Sequence, residues 1–425
     1  MANMWMVRAG PDSFLIDDFK KHNLVAIGWN IGDLSDKSRD EIKTIMTIKY
    51  RNRKKVNKAL SQVTKFVYDL KIGDYVITSD NDTRTYFLGK ITSDYYRSDK
   101  ISKVDEANDN YWDMRDVEWL GEISKDSLKK ATQKTLGSQG TVYNINDNAK
   151  TDILNVYGDN MKSIDNAAEI IRNYLDENNL GNFENKDNEY ALIKFRRSFT
   201  PEILKNLQGI DIINKIFSHD EDKNNLCYAL EFSKEYLFAG SIAGGSAFKF
   251  SLFKRKTTGE WTAGSPRKPR IVSEIEAIEI GSKIRDAIVD GAELIENYSL
   301  NSVSDYVRLE KDLEKIFSNC DTSPLTQWIH KYYVLIFPDK FPVVHWDEMK
   351  KDFLNLFGIT PQKGYYALDG QLQLLTKKSG IKCYSLFNKK ILELFGNPPH
   401  PPQFISDLKR NIIYFGAPEP ENHTI

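Results

Sequence analysis

The sequence predicts an α+β protein in two modules: an N-terminal small β-barrel with flanking helices, then a second mixed α+β domain. Three observations predict it. The 425 residues exceed what one ordinary hydrophobic core organises. Residues 1–150 alternate short β-rich runs with Gly-Asp turns, whereas most of residues 190–396 carries apolar residues at helical spacing. Between them, residues 151–189 hold one amphipathic stretch and then NNLGNFENKDNE, an Asn/Glu/Asp-rich linker with little to bury.

In order, MWMVRA and LVAIGW read as short strands, and residues 37–70 have helical spacing with a basic face. GDYVITSD, NDTR and TYFLGKIT form a hairpin pattern, two β-rich runs around an Asn-Asp turn. DVEWLGEI and TVYNIND add strands, and SIDNAAEIIRNYLDE reads as an amphipathic helix. In the second module, CYALEFSKEYLFAGSIAGGSAFKFSLFKRK reads as two or three antiparallel strands. Helices are expected over 271–296 and 301–320, in PLTQWIHKYYVLIF as a buried helix before a Pro-punctuated loop, and in WDEMKKDFLNLFGI as an amphipathic helix ending at Gly358. Residues 397–425 read as a Pro-rich hinge, a short helix and one strand.

Composition narrows the function classes. A hydrophobic content of 40% with 12% aromatic residues excludes a wholly disordered chain. Lys and Arg number 59 against 60 Asp and Glu, so any nucleic-acid footprint must come from local clusters. Cys227, Cys320 and Cys383 lie far apart with no CxxC pair, which fits reduced thiols in a cytoplasmic protein better than a disulfide framework or a zinc site. No signal-peptide pattern and no apolar run near the roughly 20 residues of a membrane helix is present. His330 and His345 are the only histidines near each other, without HxxxH or HExxH spacing; neither metal nor cofactor is expected.

WMVRAG, LVAIGW followed by GDLS, GDYVITSD, TYFLGKIT, VEW and LGSQGTVYNI resemble, in that order, the N-terminal module of Mrr-type restriction proteins. The layout is also similar to the PUA-like group, which includes the EVE and YTH readers of modified bases. The resemblance covers about 150 residues and implies a reader of DNA or RNA. Such a reader stacks a flipped base between aromatic faces and hydrogen-bonds its edge. Trp5, Trp29, Tyr86, Trp112 and Trp119 supply candidate walls, with Asn30, Ser79 and Asp80 to read an edge. The competing role for each tryptophan is ordinary core packing; Trp5 and Trp29 lead because they stand at strand ends beside polar residues. The run KYRNRKKVNK places Lys49, Arg51, Arg53, Lys54, Lys55 and Lys58 together with no acid, as a phosphate contact or a solvated helix face.

In the second module, GGSAFKF and the WIHKYY…FPDKFP run resemble the domain that precedes the AAA+ motor in McrB-like restriction proteins, a position that implies substrate recognition. Lys249, Lys254, Arg255, Lys256, Arg267, Lys268 and Arg270 face a single acid, Glu260, and are interleaved with Trp261, which suits backbone contact plus stacking. NIIYFGAP resembles the strand before a Walker A loop in these ATPases. Glu419-Pro420-Glu421-Asn422-His423 follows where GTGKS or GTGKT would stand, so the sequence reads as truncated at the P-loop by a frameshift or an equivalent event.

These readings lead to the expectation of a monomeric DNA-binding specificity portion of a modification-dependent restriction system. It would lack its own motor and catalysis and serve a nuclease subunit. The alternatives are an RNA-binding PUA-like protein and a metal-dependent nuclease using Asp339, Glu348 and Lys350. The last is disfavoured because helical periodicity sends Glu348 and Lys350 to different faces.

Overall fold

The structure, a computed structural model, describes residues 2–50, 56–106, 109–177, 186–218, 224–244 and 246–380. The fold is mixed α+β. The chain divides into two compact units, Met1–Lys162 and Ser163–Ile425. The division falls within the helix Asp147–Glu177. Among the described residues no helix is long and apolar enough to cross a membrane.

Among the described residues the first unit is built on seven strands: β1 (Met4–Val7), β2 (Leu24–Ile27), β3 (Tyr75–Asp80), β4 (Thr85–Ile91), β5 (Tyr96–Arg97), β6 (Asp113–Ser124) and β7 (Val142–Asn144). Their order is β2-β6-β4-β3-β1-β7, with β5 also on β6. All pairs are antiparallel except β1 with β3. The sheet curls into a half-barrel. The curl has a local cause in β6, which pairs with β2 through Asp113–Asp116 and with β4 through Val117–Ser124. A bulge falls between Leu88 and Gly89. A Cβ on Gly89 would stand 2.4 Å from Val117 Cγ1, so only glycine lets the strands approach there.

Strand parity sorts side chains into two cores. Trp5 and Val7, and Phe87 and Ile91, join the inner core. Their neighbours Met4, Met6, Tyr86 and Leu88 join the outer one. Helices Ile16–His22, Arg39–Lys49 and Val56–Thr64 contribute Phe19, Ile42, Met46 and Val63 to the inner core. Lys130–Leu136 and Asp147–Glu177 contribute Leu136, Ala149 and Ile153 to the outer core. The expected β3–β4 hairpin forms, its turn held by Asp80 Oδ1, which accepts from the backbone N–H of Asp82 (3.0 Å) and Thr83 (3.2 Å).

The second unit is largely helical. Its central helix, Gln327–Ile336, is buried from Trp328 to Ile336, as expected for the WIHKYY segment. Glu274–Glu296 and Val303–Ile316 line the same core, and Asp347–Leu356 and Tyr365–Ser379 build a smaller one with residues of Asp147–Glu177. The sheet here is small: β8 (Leu252–Lys254), β9 (Trp261–Ser265) and β10 (Lys268–Val272), in the order β10-β9-β8.

The strands expected across residues 227–256 are corrected. Leu226–Phe232 is a helix, Lys234–Ala239 and Ala247–Phe250 are 3₁₀ turns, and only Leu252–Lys254 is a strand. Leu226, Cys227, Ala229 and Leu230 bury one helical face, and Asn225 caps it by accepting from Tyr228 N at 2.9 Å. Aromatic content mimicked a strand where the burial period is helical. The expected 271–296 helix starts at Glu274 because Ser273 caps it and Lys268–Val272 pairs with β9.

Candidate functional site

A cavity of about 600 Å³ opens in the first unit where the ends of β1 and β2 meet helix Val56–Thr64, the residues Asp105, Asp109 and Tyr111, and the loop 137–141. Its aromatic lining is Trp29, just past β2, and Tyr111. Tyr111 is buried, edge-on to Phe14 at 5.6 Å. Its hydroxyl donates to Asp105 Oδ2 (3.1 Å), and Asp109 N donates to Asp105 Oδ1 (3.0 Å). Burial and the Asp105 charge both raise the Tyr111 pKa, so the phenol stays a donor. Gly28 makes this wall possible: a Cβ there would stand 2.7 Å from the Tyr111 ring.

The opposite side is backbone held by two side chains. Arg8 donates from Nε to Gly140 O (2.9 Å) and from Nη2 to Leu136 O (3.1 Å) and Ser138 O (3.0 Å). Gln62 Oε1 accepts from Thr141 N and from Val142 N (3.1 Å), while its Nε2 donates to Lys58 O (3.2 Å). Both residues are therefore largely committed to fixing the loop. Lys58, also lining the cavity, is exposed. The site thus combines aromatic faces, fixed peptide edges, the carboxylates of Asp105 and Asp109, and a solvated ammonium. It has the ingredients to hold a planar polar ring attached to an anionic chain.

Of the sequence-derived base-binding set, the structure brings Trp29 to this cavity and places the others elsewhere. Trp5 is a core residue whose Nε1 donates to Asp74 Oδ2 at 2.9 Å. Trp119 donates to Phe19 O (3.1 Å) and packs on Phe87. Trp112 lies under the Arg97 guanidinium at 5.3 Å. Tyr86 belongs to the outer core, and burial raises its pKa. Ser79 is buried in β3, and Asp80 organises the hairpin turn. Asn30 sits at φ 34° and accepts from Arg97 Nη2 through Oδ1 at 3.4 Å.

In the basic run, Lys49 is exposed and donates to Asn30 O. Arg51, Arg53, Lys54 and Lys55 lie outside the described residues. The second basic cluster splits. Lys249 pairs with Glu231 at 2.5 Å and donates to Ile242 O (2.8 Å) and Gly244 O (2.9 Å), so it anchors the Gly-rich loop. Arg255 donates to Thr262 Oγ1 (2.9 Å), Arg270 pairs with Glu276 and Asp321, and Lys254 lies 6.0 Å over the buried Trp261 ring. Lys256, Arg267 and Lys268 remain solvent-exposed, beside Ile271 at 62% exposure.

Asp339 and Glu348 are exposed, and Lys350 is buried against Asp369 at 2.7 Å, so this nuclease-like set is not assembled. Among the described residues no group of three or more His, Cys, Asp and Glu is placed to hold a metal ion. Cys227 and Cys320 are free thiols, and Cys383 and the P-loop-like segment lie outside the described residues.

Sequence reasoning missed Tyr111, Asp105, Asp109, Arg8 and Gln62. One signal was available. Three segments that carried the family resemblance, WMVRAG, LVAIGW and LGSQGTVYNI, all contribute to the cavity. In comparisons with known proteins, residues 5–146 match a family model described as a domain of unknown function (DUF8426). No curated protein and no solved structure matches the chain.

Proposed function

We propose that this protein is the DNA-recognition part of a modification-dependent, anti-phage restriction system, holding a base turned out of the duplex in the Trp29–Tyr111 cavity. The observation that carries this reading is the convergence of those three segments on one cavity with an aromatic lining, beside Lys58 of the basic run. A base extruded from a duplex loses stacking and pairing worth a few kcal/mol, which a cavity must restore by stacking and edge hydrogen bonds. Trp29 and Tyr111 supply the first, and the loop backbone and carboxylates the second. Lys49 and Lys58, with Lys256, Arg267 and Lys268 of the second unit, would meet phosphates. A motor and a nuclease subunit would then act on the DNA so held.

The test is binding of the purified chain to matched duplexes, unmodified or carrying 5-methyl- or 5-hydroxymethylcytosine. One modified duplex should bind tightest, and Trp29→Ala should weaken it by ~1–3 kcal/mol, the usual worth of one base–aromatic stack. Equal affinity for all duplexes, unaffected by Trp29→Ala, refutes base reading. Tighter binding to RNA of the same sequence replaces DNA as the target.

A further inference from the structure

We infer that the β9–β10 ribbon of the second unit is a second DNA-reading element, one that enters the major groove and sets Arg267 against a guanine. The inference rests on the reading that the chain binds DNA, and it moves Arg267 from a phosphate contact to a base contact.

The ribbon has a tight turn and an exposed end. Ser265 pairs with Lys268, so Pro266 and Arg267 alone make the turn. β8 pairs with β9 from Trp261 to Ala263, and beyond Ala263 the pairing that continues is that of β9 with β10. From Ala263 to the turn is about 10 Å, at roughly 3.3 Å per residue. Every residue from Ser265 to Ile271 is exposed. The stretch 261–272 carries Arg267, Lys268 and Arg270 and contains no acid. Arg270 is held by Glu276 and Asp321, whereas Arg267 and Lys268 stand in solvent at the tip. Pro266 and Pro269 fix their own φ, so the tip has less conformational freedom to lose when it binds.

Groove dimensions decide where such a tip fits. With strands about 4.8 Å apart and side chains on both, the ribbon is wider than the minor groove of B-DNA, about 6 Å. The major groove, about 12 Å wide and about 8.5 Å deep, admits a two-stranded ribbon and matches its reach. The turn is the part that arrives at the groove floor, and its only charged side chain is Arg267. A guanidinium donates two parallel hydrogen bonds to guanine O6 and N7, a pair of acceptors that guanine alone presents there. Lys268, at the base of the turn, is left for a phosphate on the groove wall. Strand parity puts Pro269 and Ile271 on one face, and both are exposed. An apolar face is costly in water and fits the thymine methyl groups that line the same groove.

The experiment uses the whole chain and a pool of duplexes with a fixed central cytosine, 5-methylcytosine or 5-hydroxymethylcytosine and randomised flanks. Bound duplexes are sequenced. Guanine should be enriched at one flanking position by the native chain and at none by Arg267→Ala. A duplex of the selected sequence is then compared with one in which that guanine is 7-deazaguanine, which lacks the N7 acceptor and keeps its pairing. The native chain should bind the 7-deazaguanine duplex roughly tenfold or more weakly, and Arg267→Ala should bind both alike. A thermal melt verifies that the variant is folded. Preference for a modified centre with no flanking guanine, or a guanine preference that survives Arg267→Ala, overturns the inference and leaves base reading by the cavity intact. Enrichment of A·T pairs that depends on Arg267 puts this side chain in the minor groove and also overturns it. Binding to no duplex overturns DNA reading altogether.

Discussion

His330 and His345, fully buried in the second unit, form a hydrogen-bonded chain that reaches Asp369. His345 Nε2 lies 2.7 Å from Ala239 O, a carbonyl that only accepts, so the proton is on Nε2. The Nδ1 of a neutral His345 then accepts from His330 Nδ1 at 2.7 Å. With His330 kept neutral by burial, its Nε2 accepts from Asp369 Oδ2, 3.0 Å away, and Asp369 then carries the proton. Burial acts the same way on each group. It lowers both imidazoles well below their usual range, with Lys350 also lowering His330 and with His330, Lys331 and Lys350 also lowering His345. It raises Asp369 to about 7 against the pull of Lys350. Below pH ~6.5 the unfolded chain protonates two histidines that the folded chain keeps neutral, while Asp369 holds one proton that the unfolded chain releases down to pH ~4. Unfolding through this cluster takes up a net of about one proton between these limits, so stability falls by ~1.4 kcal/mol per pH unit on acidification. His345→Gln removes one of the two histidine protons. In urea titrations from pH 7.5 to 5 it should be less stable at the start and lose less on the way down.

At the scale of elements, the sequence separates what helices and hairpins reveal from what loops conceal. The β3–β4 hairpin, the buried Gln327–Ile336 helix and the Asp347–Leu356 helix were readable because their apolar periods match their burial. The segment 226–256 was not, because its aromatic residues bury a helix and two 3₁₀ turns. Lys249 shows why a charge cluster is an ambiguous signal. It is held by Glu231 and two loop carbonyls, and burial raises the Glu231 pKa while Lys249 opposes the rise. Lys249→Met should destabilise by about 3 kcal/mol, since it removes one partner of a largely buried pair. It should leave the salt dependence of DNA binding unchanged in a filter-binding series. A shallower salt slope in Lys249→Met would return this lysine to the phosphate-binding group.

For the whole molecule, a formal net charge of −1 means that binding to a polyanion must come from local surfaces. The small sheet is one, with Lys256 in solvent in the β8–β9 connection and Arg267 and Lys268 in solvent at the β9–β10 turn. Lys268 and Pro269 also blunt β10 against pairing with another strand, a structural role that they can serve besides. The roles separate by titration. If the three bases neutralise phosphates, replacing all of them by alanine should reduce the slope of log K against log salt by roughly 0.9 for each phosphate no longer neutralised. If they only protect the edge, the slope stays and the variant aggregates.

By itself the sequence determined the α+β class and many of the strands and helices, because periodicity, turn chemistry and composition are local properties. Tertiary structure decided which of eight candidate base-binding residues share a cavity. Strand parity and curl sent Trp5 and Tyr86 into opposite cores, while Gly28 admitted the Tyr111 ring beside Trp29. Asp105, Asp109, Arg8 and Gln62 come from separate stretches of chain, and only the closing of the sheet puts them around one space. The same holds for His330, His345, Lys350 and Asp369. Nothing in their spacing marks them, and burial in one core makes their protons interdependent.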